Sequence, residues 1–122
     1  NPCTRVIAHP VVLDEGNVGT IFQGVDVLLE CLDRAEAKAM IIRAAAASLP
    51  EAYLVGASGV AGYGESNSIQ TLRLGDRVFM VGDLVSAAEP GRGLMAPRVG
   101  IAAHHQANLA VSLLMHGEDA TL

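Results

Sequence analysis

The segment Val25–Leu32 (VDVLLECL) most constrains the fold, because it is a nearly continuous apolar run of strand length. Such runs are typical of strands that are covered on both faces in a parallel sheet. After it, small and apolar residues recur at spacings of three and four, which predicts one face of a helix. These residues are Ala35, Ala39, Ile42, Ala46 and Leu49. Pro50 ends the helix, and a second strand is expected over Ala52–Ala57. The order strand, helix, strand predicts an α/β fold with Val25–Leu32 as its central strand.

Two elements are predicted before this run. Arg5–Leu13 is rich in β-branched residues and predicts a strand, which Pro10 directs to a sheet edge or a bulge. A short helix is expected over Asn17–Phe22, with Gly24 at its end.

The second half of the chain predicts a hairpin and a long helix. Ser68–Leu74 and Arg77–Val81 are β-type segments separated by Gly75-Asp76, a spacing that favours an antiparallel pair. Pro97 lies in the expected first turn of the last helix, which runs to about Met115. Its packed face is expected to include Val99, Ala102 and Gln106, while Gly117 stops it and residues 118–122 form a frayed tail.

Composition excludes several classes of protein. The 122 residues are enough for one domain, and 51% of them are hydrophobic, which supports a packed core. A net charge of −5 disfavours a nucleic-acid partner, and no apolar stretch approaches the ~20 residues of a membrane span. Cys3 and Cys31 lie far apart, so neither a disulfide framework nor a zinc site is indicated. Cys31 is expected to be buried in its strand, and a cytoplasmic location is expected.

Asp33 has two interpretations that the sequence leaves open. It follows the predicted central strand, at the edge where open α/β sheets bind ligands, and its carboxylate is suited to magnesium or a nucleotide phosphate. Asp33 with Glu36 at the third following position is also a helix N-cap with its capping-box partner.

Two glycine-rich segments and the histidines carry weaker signals. Gly56–Gly64 lacks the spacing of a phosphate loop and leads into a β-type segment. Gly91-Arg92-Gly93 precedes a helix, so it is either an anion contact, with Arg92 and Arg98 adding charge, or a tight connection. Adjacent His104 and His105 point about 100° apart on a helix and are expected to be polar surface residues.

Two segments together resemble the ubiquitin-activating-enzyme-like adenylyltransferases of the ThiF/MoeB group. They are LECLDRAEAK at 29–38 and GLMAPRVG at 93–100, the latter continuing to Gln106-Ala107. GVAGYG at 59–64 is similar to the shorter ThiF-type proteins. The resemblance covers all 122 residues and implies the C-terminal portion of a Rossmann-like, three-layer fold, with a mixed sheet that ends in an antiparallel hairpin and a long C-terminal helix.

The resemblance implies an activity and the residues that carry it. A ubiquitin-like sulfur carrier protein, ThiS-like, would be adenylated with ATP and magnesium at its C-terminal glycine, in thiamine biosynthesis. Asp33 matches the family's aspartate near magnesium and the adenylate, and Lys38 matches the basic position five residues later. The path of the carrier's tail is implied beside Gly91, Gly93, Met95 and Pro97.

The chain also departs from the family pattern. The N-terminal ATP-binding portion and the zinc-binding cysteine pairs are absent, and no cysteine follows Cys31. We therefore expect the isolated chain to be inactive, and we expect Arg5–Leu13 either to pack on Val25–Leu32 or to pair with another copy in a homo-oligomer. The alternative function is a non-catalytic module of Rossmann-like fold that binds a partner or dimerises.

Overall fold

The structure is a computed structural model that describes residues 2–122. Its strands are β1 (Val27–Leu29), β2 (Tyr53–Ala57), β3 (Gln70–Arg73) and β4 (Val78–Gly82). Its helices are α1 (Val18–Ile21), α2 (Ala35–Ser48) and α3 (Ala96–His116), with 3₁₀ turns at Ser66–Ser68 and Gly117–Asp119. The molecule is thus an α/β protein with a long C-terminal helix.

The four strands form one mixed sheet in the order β1-β2-β4-β3. β1 and β2 are parallel, as are β2 and β4, with Leu28 opposite Leu54 and Val55 opposite Phe79. β3 runs antiparallel to β4, which confirms the hairpin predicted around Gly75-Asp76. The three parallel strands therefore end at the same edge of the sheet.

Helices cover both faces of this sheet. On one face, Leu28 and Leu54 share a cluster with Ile41 and Ala45 of α2 and with α1. On the other, strand residues that include Val55 and Val81 pack with the residues of α3 at Ala102, Leu109 and Leu113. Because successive strand residues point to opposite faces, the two clusters form the two halves of the core.

The strand predicted over Val25–Leu32 is confined to Val27–Leu29, and the prediction that it is central is wrong. Within residues 2–122, β1 is the end strand and pairs with β2 alone. Its apolar pattern has another cause: Leu28 faces α2 while Val27 packs on the α3 side, so an end strand can also be covered on both faces.

The strand predicted over Arg5–Leu13 is also wrong. This segment forms no ladder with any described strand, and the N–H of Val11 donates to the carbonyl of His9 in a local turn. Val6 and Val12 are 84% and 88% exposed. β-branched residues favour a strand only where a neighbouring strand offers a partner, and here none does.

The helices begin and end close to the predicted residues, but α2 packs through a different face. Ile41, Ala44 and Ala45 are its buried residues. Of the predicted face, Leu49 and Ile42 do pack in the same cluster, whereas Ala35, Ala39 and Ala46 are exposed. The sequence AEAKAMIIRAAAAS carries small or apolar residues around most of the helix, so their spacing does not single out one face.

Candidate functional site

A groove of about 390 Å³ lies where the three parallel strands end. Residues that follow β1, β2 and β4 form one side, and the first half of α3 forms the other. Asp33, Lys38, Ser58, Leu94 and Gln106 are among its lining residues. Open α/β sheets bind their ligands outside the carboxyl ends of the strands, so this groove has the position expected of a binding site.

Two glycines allow the loops of the groove to touch. Gly82, at the end of β4, has φ +138°, and a Cβ there would overlap the carbonyl oxygen of Ser58. Gly59 has φ +73°, and its Cβ would meet the carboxylate of Asp83. A side chain at either position would separate the loops that follow β2 and β4. The glycine-rich segment after β2 therefore forms part of the groove wall through close backbone contact.

Arg98, in the first turn of α3, binds these loops to the helix. Its side chain is 4% exposed and donates to Asp83 Oδ2 at 2.8 Å and to the carbonyl of Gly64 at 2.9 Å. Longer bonds reach the Ser68 hydroxyl and the carbonyl of Gly59. A cation in the first turn of a helix opposes the helix dipole, and the adjacent carboxylate offsets that effect.

Asp83 is held in its charged form. Burial by itself would raise its pKa, but hydrogen bonds from the Ser86 hydroxyl and from the N–H groups of Ser86 and Val85, together with the charge of Arg98, lower the pKa of Asp83 to about 2. Arg92 donates to the same Ser86 hydroxyl at 2.8 Å.

The segment before α3 forms a tight connection. The N–H of Gly62 donates to the carbonyl of Gly93 at 2.9 Å, and the charge of Arg98 is matched by Asp83. These contacts favour the structural interpretation of Gly91-Arg92-Gly93 over an anion site. Leu94 and Val99 line the groove on this side. The residues implied for the carrier's tail flank that wall and are exposed; they are Gly91, Gly93, Met95 and Pro97.

The two predicted catalytic residues, Asp33 and Lys38, both line the groove. Asp33 is exposed and accepts no hydrogen bond or ion pair from residues 2–122. The N-cap of α2 is Arg34, which makes no capping bond, so the capping-box interpretation of Asp33 is wrong. The chain enters α2 in an extended conformation, and the Asp33 carboxylate stays available at the rim of the groove.

Lys38 is paired with a residue that the sequence reading missed. Its ammonium donates to both carboxylate oxygens of Glu30, at 2.9 and 3.0 Å, and the two side chains are 23% and 1% exposed. The signal in the sequence is a glutamate inside the apolar run, eight residues before the chain's only lysine. Glu30 neutralises Lys38, and its two oxygens leave one of the three ammonium N–H groups for another partner.

Cys31 lines the same groove and is exposed, so the expectation of a buried cysteine is wrong. Partial burial raises the pKa of its thiol, and the charge of Glu30 raises it further, while Lys38 partly offsets this. The thiol is therefore held in its neutral, less nucleophilic form.

Gln106 is a further groove residue that periodicity assigned only to packing. It is buried on α3, and its amide nitrogen donates to the backbone carbonyls of Glu30 and Val55, at 3.0 and 3.3 Å. It thereby joins α3 to the carboxyl ends of β1 and β2.

The adjacent histidines have separate partners. His104 Nδ1 lies 2.7 Å from the carbonyl oxygen of Gly100, and His105 Nδ1 lies 3.1 Å from the hydroxyl of Thr71. Both line a second cavity of about 430 Å³, together with Gln70 and Thr71 of β3. Their different partners match the expectation of independent polar residues.

The carboxylates of the groove decide whether a metal ion could be held there. Among residues 2–122 no group of three or more His, Cys, Asp or Glu side chains could hold a metal ion. Magnesium is commonly held by one or two carboxylates together with substrate phosphates, and Asp33 offers one unpaired carboxylate at the rim. Asp33 is therefore the residue of this groove that could contribute a carboxylate ligand to a magnesium ion.

No family model, no curated protein and no solved structure matches this chain. In the described part of the chain, no helix has the length and apolarity to cross a membrane. A function must therefore be argued from the groove and from the sequence pattern.

Proposed function

We propose that the chain is the C-terminal portion of a cytoplasmic ThiF-like adenylyltransferase with a Rossmann-like fold. Its substrates would be ATP and the C-terminal glycine of a ThiS-like sulfur carrier protein, in thiamine biosynthesis. The observation that carries the proposal is the unpaired carboxylate of Asp33 at the rim of a groove formed by the ends of three parallel strands. The groove's position is the one that α/β sheets use for nucleotides.

In the proposed reaction, an oxygen of the carrier's terminal carboxylate forms a bond to the α-phosphorus of ATP. The bond between that phosphorus and the oxygen leading to the β-phosphate breaks, and pyrophosphate leaves with its electron pair. No proton or redox partner is needed. Magnesium, when bound, offsets the phosphate charge.

Residues of this chain would bind and orient the two substrates. Asp33 supplies a carboxylate ligand at the rim, and the free N–H of Lys38 donates to a phosphate oxygen while Glu30 fixes the ammonium. Leu94 and Val99 line the groove at the start of α3, beside the exposed segment that precedes the helix. The carrier's tail would approach along Gly91 to Pro97.

Pyrophosphate exchange tests the proposal in a longer enzyme that contains this chain as its C-terminal portion. Asp33→Asn should lower carrier-dependent exchange between ATP and pyrophosphate by roughly tenfold to a hundredfold, because the metal ligand loses its charge. Unfolding should be unaffected, because Asp33 makes no capping bond. Asp76→Asn, at the exposed hairpin turn, is the matched control and should retain exchange. Unchanged exchange in Asp33→Asn would refute the proposed role.

The exposed N-terminal segment supports a second candidate function, a non-catalytic module that binds a partner or dimerises. Val6 and Val12 are solvent-exposed, and the backbone of β1 is open along its outer edge in the described structure. Such an edge can accept another strand. Stable partner binding by the longer protein, without any carrier-dependent exchange, would favour this candidate.

A further inference from the structure

Gln106 presents an oriented polar group to the groove. The residue is 5% exposed, lies in the middle of α3 and lines the groove opposite Ala57 and Ser58. Its amide nitrogen has both of its N–H groups engaged, with the carbonyls of Glu30 and Val55. The side chain is therefore fixed at two points, on the ends of β1 and β2.

The chemistry of these partners sets which way the amide faces. Backbone carbonyls only accept hydrogen bonds, so the nitrogen of Gln106 must face them and Oε1 must point elsewhere. Oε1 accepts no hydrogen bond from residues 2–122. Over the same residues, Arg98 Nε is the one buried side-chain nitrogen or oxygen that is sealed from solvent without a partner. Gln106 Oε1 is therefore not sealed, and the groove is the cavity that Gln106 lines.

We infer that Gln106 Oε1 is a fixed acceptor for an N–H group of the ligand that occupies this groove. No group of residues 2–122 donates to that oxygen, and the groove lining around it includes the small apolar side chains of Ala102, Ala103 and Val60. A ligand that places a carbonyl or ether oxygen there leaves two acceptors facing each other, and the groove rejects it. Gln106 is thus a residue that determines specificity.

The inference rests on the proposed function for the identity of the ligand. Two groups of the proposed substrates carry a suitable N–H: a backbone amide in the extended tail of the carrier, and the exocyclic amine of adenine. Both present the same chemistry to Oε1. Paired probes that differ at one N–H can distinguish them.

Binding of such paired probes to a longer enzyme that contains this chain as its C-terminal portion tests the inference. The peptide pair is acetyl-Gly and acetyl-N-methylglycine, which lacks the one amide N–H, and the nucleotide pair is magnesium ATP and its N6,N6-dimethyl analogue, whose exocyclic amine has no N–H. One pair should show a fivefold to tenfold preference for the N–H form, about one net hydrogen bond. Gln106→Met should abolish that preference, whereas Gln70→Met, outside the groove, should retain it.

A measurement on the unaltered chain guards against a Gln106→Met variant that fails to fold. The side-chain amide signals of Gln106 in a nitrogen-15 NMR spectrum should move with the preferred probe and stay in place with its counterpart. Equal affinity within both pairs, equal signal shifts, or failure of every probe to bind would each overturn the inference. Exchange activity is not part of this readout, so loss of the proposed function with retained N–H preference would refute that function alone.

Discussion

Arg98→Met should destabilise the protein more than any other removal of an arginine charge. The variant retains most of the buried hydrocarbon but loses the 2.8 Å bond to Asp83 and the 2.9 Å bond to the carbonyl of Gly64. Breaking a buried ion pair costs about 3 to 5 kcal/mol. Asp83 keeps the hydrogen bonds from Ser86 and Val85, and its side chain is 15% exposed, so we expect the lower limit, about 3 kcal/mol.

Urea unfolding followed by circular dichroism gives this free energy, and the melting temperature should fall by roughly 10 °C. Arg43→Met is the control, because the Arg43–Glu15 pair is exposed and 3.5 Å long, and it should cost less than about 0.5 kcal/mol. In the double variant with Asp83→Asn, the loss should be smaller than the sum of the two single losses by about 1 to 2 kcal/mol. A loss for Arg98→Met no greater than for Arg43→Met would refute this account of the groove's support.

Three further predictions concern the acid range, a loop contact and assembly. Because the pKa of Asp83 is lowered to about 2 from 3.8, its stabilisation is complete above pH 3.8 and is lost as the pH falls toward 2. Between pH 3.8 and 2, the free energy of unfolding measured in urea should therefore fall by about 1 to 2 kcal/mol, a range that allows for the partial exposure of Asp83. The Asp83→Asn variant should not show this fall. In the same assay, Gly82→Ala should lower the free energy of unfolding by about 3 kcal/mol or more. Gly64→Ala should lower it by only about 1 to 2 kcal/mol, because Gly64 also has a positive φ but no atom lies near its Cβ position. Equal losses would refute the overlap with Ser58. Sedimentation should show a dimer or larger assembly that Val6→Asp weakens, and a monomer at high concentration would contradict pairing through residues 5–13.

Elements with local signals were predictable from the sequence. The hairpin follows from two β-type segments around Gly75-Asp76, and the bounds of α3 follow from Pro97 at its start and Gly117 at its end. The end of α2 follows from Pro50 in the same way. Each of these signals acts within a few residues, so no knowledge of the tertiary structure is needed.

Features that depend on distant partners were not predictable. Arg5–Leu13 has the composition of a strand, but a strand also needs an available edge beside it. In the candidate site, Asp33 and Lys38 were found from a motif, while the Glu30 partner of Lys38 was not. The roles of Gln106 and Arg98 also depend on contacts with loops and strand ends that are far away in the chain.

The central claim is that the groove at the strand ends binds a nucleotide together with its metal ion beside Asp33. Manganese can replace magnesium, and its unpaired electrons broaden NMR signals of nearby amides even in a weak complex. Titration of the nitrogen-15-labelled chain with manganese ATP should broaden Asp33 and its groove neighbours Ala35 and Gly59 first, and Asp33→Asn should remove this pattern. Broadening that centres on His105 in the second cavity, or that manganese chloride alone reproduces, would contradict the claim.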